Sequence, residues 1–227
     1  MEPKILKEKN LRNFSVTAVL FLLFIALTIA VLTFDMQPIG PGSSIVGLAD
    51  LNKSLHDAIG VNHYWYNITE WTGLIAITVA CGFSLLGLAQ LIARKSIKKI
   101  DSDIFALGSF YLLVAICYAL FEIWIVNYRP VMMDGTLEAS YPSSHAMVVL
   151  CIMATAIMQF QTRIKNRLLK TVVIYISAFI IVMTIIGRLV SGVHWFTDIM
   201  GGVLLGFSLT MLYYSIVQRL NLSEHIL

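Results

Sequence analysis

Apolar residues along this chain are gathered into six long runs that are separated by shorter polar stretches. The runs cover roughly residues 13–34, 71–93, 104–126, 145–160, 168–187 and 195–217. An α-helix needs about 20 apolar residues to cross the hydrocarbon core of a bilayer, and the short fourth run is expected to extend at both ends. A membrane barrel would need alternating apolar and polar residues along short strands, and no such alternation is present. The pattern predicts an all-α bundle of six transmembrane helices.

The composition agrees with this prediction. Of the 227 residues, 58% are hydrophobic and only 13% are charged. A soluble domain of this size needs more polar residues to cover its surface, so we expect residues 1–227 to form a single integral membrane domain. The net charge is +3, and the basic residues form short clusters rather than a stripe, which argues against nucleic acid as a partner.

The basic residues also predict the orientation of the bundle. Thirteen of the sixteen lie before the first run, between runs two and three, between runs four and five, or after run six: Lys4, Lys7, Lys9, Arg12, Arg94, Lys95, Lys98, Lys99, Arg163, Lys165, Arg167, Lys170 and Arg219. With six spans all thirteen lie on one side, which the positive-inside rule assigns to the cytoplasm. Both termini are then cytoplasmic, and only Lys53, Arg129 and Arg188 lie outside.

The long outer connection between spans one and two predicts a helix of its own. Apolar residues recur there at helical spacing, at Ile45, Leu48, Leu51, Leu55 and Ile59. This spacing predicts an amphipathic helix at the membrane surface, which we interpret as a connector in preference to a substrate lid. His56 and His63 lack the spacing of a metal site and are interpreted as solvated loop residues.

Small residues inside the apolar runs predict close helix packing. Gly202 and Gly206 lie one helical turn apart in the sixth run, and small residues at such positions let another helix approach closely. Cys81, Cys117 and Cys151 all lie inside apolar runs. An odd, buried set favours packing residues over a disulfide framework.

Three short polar stretches are predicted to meet at the outer side. They are residues 127–135 after the third run, 141–145 before the fourth, and 187–202 between the fifth and the sixth. A single His or Arg at a membrane edge is usually an interfacial anchor. Three such stretches at the same end of a bundle instead indicate a shared site.

The third stretch contains a His–Asp pair at helical spacing. His194 and Asp198 are four residues apart, so on a helix they share a face, and the carboxylate can accept the imidazole N–H. Arg188 lies six residues before His194, which is about 240° around a continuous helix. For Arg188 to reach the same place, the chain has to break between them, and Gly192 is the expected position.

The second stretch has the features of an anion site. Pro142 favours the start of a helix, and Ser143 or Ser144 is expected to cap the fourth span. Free N–H groups at a helix N-terminus bind anions, and His145 lies beside them. Arg129, at the end of the third span, is expected to reach the same place. Two arginines, two histidines and a helix N-terminus predict a pocket that binds an oxyanion, and phosphate is the expected ligand.

These residues resemble the motifs of the type-2 phosphatidic acid phosphatase superfamily, which includes bacterial lipid phosphatases and vanadium haloperoxidases. That family carries Lys, six residues and Arg-Pro; then Pro-Ser-Gly-His; then Ser-Arg, five residues, His, three residues and Asp. The matching residues here are Arg129 and Pro130, then Pro142, Ser143, Ser144 and His145, then Arg188, His194 and Asp198. The order of the motifs and the spacing within each of them agree.

The resemblance implies a role for each matching residue. His194 would attack phosphorus and form a phosphohistidine, and Asp198 would orient His194 and stabilise its positive charge. His145 would protonate the leaving oxygen and then activate the hydrolytic water. The phosphoryl oxygens would be held by backbone N–H groups and by Arg129, Arg188, Ser143 and Ser144. No metal and no other cofactor is expected.

Three positions depart from the family pattern. Ser144 replaces a Gly and Gly187 replaces a Ser, which are both small changes. Glu122 stands seven residues before Arg129, where the family has its Lys. On a continuous helix Glu122 and Arg129 would share a face, and a Glu within a span is costly enough to face a pocket or a partner. Pairing with Arg129, protonation of the Glu and contact with a substrate hydroxyl are the open alternatives.

The expected function is that of a lipid phosphatase at the outer face of a cytoplasmic membrane. Candidate substrates are phosphatidylglycerol phosphate, phosphatidic acid and undecaprenyl pyrophosphate, so the expected partners are a lipid phosphate and the surrounding membrane lipids. A lipid phosphotransferase would use the same residues, and a binder or transporter of phosphorylated lipids is the alternative if Glu122 marks lost chemistry. A haloperoxidase is disfavoured by the membrane-embedded scaffold and by the acid at the Lys position. Size and topology favour a bacterial source, and no feature of the sequence indicates an oligomeric state.

Overall fold

The computed structural model describes residues 2–224, and within that range the side chains of residue 8 and of residues 10–220. These residues form seven α-helices: α1 (Glu2–Thr33), α2 (Ala49–Ile59), α3 (His63–Arg94), α4 (Ser102–Ile123), α5 (Ser144–Arg163), α6 (Arg167–Ser191) and α7 (Phe196–Glu224). No β-strand is present between residues 2 and 224, so the all-α prediction is confirmed. The side chains of Lys4, Lys7 and Lys9 lie outside the described residues.

Six of the seven helices, all except α2, are long and apolar enough to cross a membrane, which confirms the predicted number of spans. The predicted start of the second span, at residue 71, is wrong by about two turns, because α3 begins at His63. The side chain of Asn62 accepts hydrogen bonds from the backbone N–H groups of Tyr64 and Trp65. This N-cap allows the helix to begin among polar and aromatic residues.

Helices α5 and α7 form the centre of the bundle. In each, 56% of the most apolar segment is buried, against 22% or less in the other four spans. The predicted close approach at two glycines is confirmed. A Cβ on Gly202 would lie 2.5 Å from the carbonyl oxygen of Ser143, and one on Gly206 would lie 3.2 Å from the side chain of Leu150. Glycine at these positions therefore sets the distance between the two central helices.

Helix α2 lies against the first turn of α7. Asn52 of α2 is fully buried, donates to Thr197 Oγ1 at 2.9 Å, and accepts from the backbone N–H of Thr197 at 3.1 Å. Asn52 thereby caps α7 from another helix. The predicted amphipathic helix is present but shorter than its apolar pattern, since Leu48 has a positive φ of 48° and precedes the first turn.

The interpretation of His56 as a solvated loop residue is wrong. His56 lies on α2, where its Nε2 is 3.1 Å from the carbonyl oxygen of Gly192. Its ring centroid is 5.3 Å from that of Trp195. The local sequence around His56 did not indicate this contact, because the loop between α6 and α7 lies beside α2 only in the folded bundle. His63 is exposed as predicted, but it is the first residue of α3 and does not lie in a loop.

We expect Gly202→Ala to lower the thermal stability of the purified protein. The added Cβ would meet the Ser143 carbonyl oxygen at 2.5 Å and the Ala146 Cβ at 3.1 Å, and overpacking of this kind costs about 1–3 kcal/mol. Gly82→Ala is the matched control, because nothing lies within 4 Å of a Cβ at that position and Ala favours helix more than Gly does. Equal melting temperatures of the two variants in detergent would contradict the tight packing of α5 on α7.

Candidate functional site

The three polar stretches that were predicted to meet do lie together at one end of the bundle. The backbone N–H of Ser143, just before α5, donates to the carbonyl oxygen of Asp198 in α7 at 2.8 Å. The indole N–H of Trp195 donates to the carbonyl oxygen of Tyr128 at 2.8 Å. The first bond joins the start of α5 to the first turn of α7, and the second joins the connection between α4 and α5 to the loop before α7.

Asp198 is fully buried, and three donors hold its carboxylate. Oδ2 accepts from Ser140 Oγ at 2.7 Å and from the backbone N–H of Trp195 at 2.8 Å, and Oδ1 is 3.4 Å from Asn127 Nδ2. Nδ1 of His194 lies 3.8 Å from Oδ2, which is beyond hydrogen-bond distance. The two side chains are neighbours as predicted, and their present separation has to shorten for the carboxylate to accept the imidazole N–H.

The chain breaks where the sequence predicted. Helix α6 ends at Ser191, and Gly192 follows in the left-handed conformation with a φ of 66°. Arg188 therefore lies in the last turn of α6, and His194 lies in the short loop before α7. His194 and Asp198 do not share a helix as predicted, because α7 begins only at Phe196 and His194 lies before it.

Buried polar atoms without hydrogen-bond partners are concentrated at this site. Among the described side chains, ten such atoms occur, and seven of them are Arg129 Nε and Nη1, Ser143 Oγ, Arg188 Nε and Nη1, and His194 Nδ1 and Nε2. Buried polar atoms in proteins are nearly always paired. Guanidinium N–H and hydroxyl groups left open around one point are the donors that fit an anion with several oxygens.

His194 is held in its neutral form by its surroundings. Its pKa lies well below the usual value because the ring is buried, and the positive charges of Arg129, Arg188 and His145 lower it further. Neutral imidazole is the form of histidine that acts as a nucleophile. Among the described residues, no three His, Cys, Asp or Glu side chains are grouped so that they could hold a metal ion.

The start of α5 differs from the prediction in one detail. Ser143 occupies the N-cap position, but neither serine makes the expected side-chain cap, and Ser143 Oγ is left without a partner. Ser144 is the first residue of α5 and lines a small cavity together with Glu122 and Tyr118. Of the two serines, Ser143 thus has the open hydroxyl among the other unpaired donors.

The prediction that Glu122 and Arg129 share a helix face is wrong. Helix α4 ends at Ile123, and Glu122 is exposed in its last turn. Arg129 lies in the following connection, where its Nε is 3.2 Å from an oxygen of Glu138. The apolar residues that begin at Trp124 extended the predicted span to residue 126, although they do not continue the helix.

Glu70 lies inside the predicted phosphate pocket, although its position in the sequence did not indicate a functional residue. Its Oε1 is 2.5 Å from Nη2 of Arg188 and 3.3 Å from Nε2 of His145. One turn earlier on α3, the ring of Tyr66 lies 4.9 Å from the guanidinium carbon of Arg188. The predicted second span began at residue 71, so Glu70 was assigned to the outer loop. An acidic residue in a loop does not indicate a functional site. Within an apolar helix, the same acid would have indicated a functional site.

Two glycines bring α3 close enough for these contacts. A Cβ on Gly187 of α6 would lie 2.5 Å from the side chain of Thr69, and a Cβ on Gly73 of α3 would lie 3.0 Å from the ring of His145. Gly187 is one of the positions where this chain departs from the family motif. Its lack of a side chain has a structural reason, because a Ser there would meet α3 one residue before Glu70.

We expect Asn52→Ala to destabilise the protein and to slow any reaction at His194. The substitution leaves the buried N–H of Thr197 without an acceptor, at a cost of about 1–3 kcal/mol. Asn67→Ala is the matched control, because Asn67 is exposed on α3. Melting temperatures of both variants in detergent test this expectation, and an unchanged value for Asn52→Ala would show that α2 does not hold α7.

The lowered pKa of His194 predicts a pH-dependent contribution to stability. As the pH falls through the usual imidazole pKa of about 6.5, the unfolded chain takes up a proton that the folded chain does not. The contribution is therefore fully present above about pH 6.5 and is lost as the pH falls towards the folded value. We expect the melting temperature to decrease more between about pH 7.5 and about pH 5.5 in wild type than in His194→Asn. Parallel curves for the two proteins would contradict a neutral, buried His194.

Comparisons with known proteins show the fold and the family of this chain. A family model described as the PAP2 superfamily matches residues 14–222. The crystal structure of a transmembrane PAP2-type phosphatidylglycerolphosphate phosphatase from Bacillus subtilis is similar, with a TM-score of 0.58 over 89% of this chain and 96% of that chain. The two sequences are 21% identical, so this likeness shows a shared fold. No curated protein sequence matches the chain. Because the family model extends over nearly the whole sequence, the chain belongs to the PAP2 superfamily.

Proposed function

We propose that this protein is a lipid phosphatase that removes phosphate from a lipid phosphomonoester or pyrophosphate through a phosphohistidine intermediate. The observation that carries the proposal is the set of open donors on Arg129, Arg188 and Ser143 beside the unpartnered ring of His194. Membership of the PAP2 superfamily supports it. Donors fixed in a buried site stabilise the charge that develops on phosphoryl oxygens in the transition state.

In the first step, His194 is the nucleophile. Its Nδ1 is the nitrogen nearer to Asp198, which leaves Nε2 to attack phosphorus. The new P–N bond forms as the P–O bond to the lipid breaks, and the leaving oxygen takes a proton from His145. The buried carboxylate of Asp198 would stabilise the positive charge that His194 gains.

In the second step, the phosphohistidine is hydrolysed. His145, which has given up its proton, takes one from water, and the resulting hydroxide attacks phosphorus. The P–N bond breaks, phosphate leaves, and His194 returns to its neutral form. The two arginines hold the phosphoryl oxygens through both steps, because the group that is transferred does not leave the pocket until the end.

The multi-pass membrane fold suits a substrate that resides in the bilayer. The basic cluster between α5 and α6 lies at the opposite ends of those helices from His145 and Arg188, and the cluster between α3 and α4 lies at the opposite end of α3 from Glu70. By the positive-inside rule, those clusters mark the cytoplasmic side. We therefore place the site at the outer face of a cytoplasmic membrane.

We expect the purified protein in detergent to release phosphate from lipid phosphates, and His194→Ala to lower the rate by about 10³-fold or more, as loss of a catalytic nucleophile does. His63→Ala is the matched control, because His63 is exposed at the start of α3. Phosphate released in ¹⁸O-labelled water should carry the label, since water supplies the new oxygen.

Three results would contradict the proposal. Unlabelled phosphate appearing on an added lipid alcohol would indicate a phosphotransferase. An unchanged rate for His194→Ala would remove the nucleophile from the mechanism. No phosphate release by folded wild-type protein from any lipid phosphate would favour a binding or transport function.

A further inference from the structure

Each arginine of the pocket already has a carboxylate beside it. Nη2 of Arg188 is 2.5 Å from Glu70, and Nε of Arg129 is 3.2 Å from Glu138. The arginine side chains are 0% and 11% exposed, whereas both glutamate side chains are 43% exposed. The guanidinium groups therefore lie at the bottom of the pocket, and the two carboxylates form a more exposed layer beside them.

These pairs leave several guanidinium N–H groups free to bind a ligand. They also leave the pocket with little excess positive charge. Nε and Nη1 of Arg188 and Nη1 of Arg129 make no hydrogen bond and can still hold phosphoryl oxygens. The charges of the two guanidinium groups are nevertheless balanced by Glu70 and Glu138. On the same side of the bundle, Lys53 is 2.7 Å from Asp57 and is 57% exposed. No described lysine supplies the additional charge at the pocket, and the position where the sequence motif places a Lys holds Glu122.

We propose that this pocket selects lipid phosphomonoesters over lipid diphosphates, and that Glu70 is the residue that determines this specificity. The inference rests on the proposed phosphatase function and names its substrate class. One phosphoryl group fits the open donors of the arginines and Ser143. A second phosphoryl group would extend from them into the layer that contains Glu70 and Glu138, where it meets acceptors of its own sign.

The position of Glu70 makes it the stronger of the two determinants. Its Oε1 contacts both Arg188 and His145, and His145 is the residue that would protonate the leaving group. In a diphosphate the leaving group is itself a phosphate, so its negative oxygens would have to lie beside His145 and hence beside Glu70. Like charges a few ångströms apart repel, and solvent at the 43% exposed Glu70 side chain screens only part of that repulsion. Repulsion of the wrong ligand is a general means of achieving specificity.

The test compares a monophosphate and a diphosphate that carry the same polyprenyl chain. For each protein we would measure kcat/KM for phosphate release from both lipids in the same detergent. Wild type is expected to favour the monophosphate by about tenfold or more, and Glu70→Gln to reduce this ratio by about tenfold. Gln retains an oxygen that can accept from Arg188, so the substitution removes the charge with little change of shape. Both rates come from the same preparation, so partial unfolding lowers both and leaves the ratio unchanged.

Three further variants complete the comparison. Glu70→Asp keeps the charge and should keep the wild-type preference. Glu138→Gln removes the charge beside Arg129 and should reduce the preference less than Glu70→Gln does. Asp134→Asn removes an exposed charge from the same outer connection as Glu138 and should leave the ratio as in wild type. If Glu70→Gln proves inactive on both lipids, the ratio measured for Glu138→Gln decides, and a value equal to wild type overturns the inference.

The outcomes separate this inference from the function on which it rests. Cleavage of the diphosphate by wild type as efficiently as the monophosphate, or more so, would overturn the substrate selection and leave a lipid phosphatase. A Glu70→Gln variant that is active with an unchanged ratio would remove Glu70 as its determinant. Release from neither lipid, nor from any other lipid phosphate, would overturn the proposed phosphatase and this inference with it.

Discussion

The carboxylate of Asp198 joins the separate segments of the site to one another. An ionised group buried in a membrane protein is unfavourable unless hydrogen bonds replace its hydration. Here the donors come from Ser140 and Asn127 in the connection between α4 and α5 and from the backbone of Trp195. The chain has to bring these segments together to satisfy one side chain. The same contacts place the start of α5 and the loop that carries His194 side by side, so the geometry of the pocket follows from the burial of this carboxylate.

A second constraint acts between helices. Arg188 has no exposed surface, and a buried guanidinium needs partners as much as a buried carboxylate does. Helix α3 supplies them through Tyr66 and Glu70, and Gly187 and Gly73 allow α3 to come close enough to do so. The small residues and the charged residues therefore form a single arrangement. A side chain on either glycine would separate the helices and move the carboxylate away from the arginine.

Much of this arrangement could be predicted from local patterns. The six apolar runs, the turn at Gly192 and the close approach at Gly202 depend on residues near in sequence, and the structure agrees with all three. The errors lie where helix ends depend on other segments. The apolar residues after Glu122 resembled more helix, and the polar residues before residue 71 resembled a loop, so the ends of α4 and α3 were both misplaced. The second error concealed Glu70, because the contact of that residue with Arg188 joins positions 118 residues apart in the sequence.

The contact of α2 with the first turn of α7 has a consequence for the route by which a molecule reaches the pocket. Asn52 is fully buried between the two helices, and Gly192 packs against the backbone of Gly60 at the end of α2. To swing away, α2 would have to give up the buried hydrogen bonds of Asn52 and expose the N-terminus of α7, and it would release the loop of His194 at the same moment. Opening at α2 would thus disturb the loop that holds His194. These contacts favour α2 as a fixed connector in preference to a lid that moves to admit a molecule to the pocket.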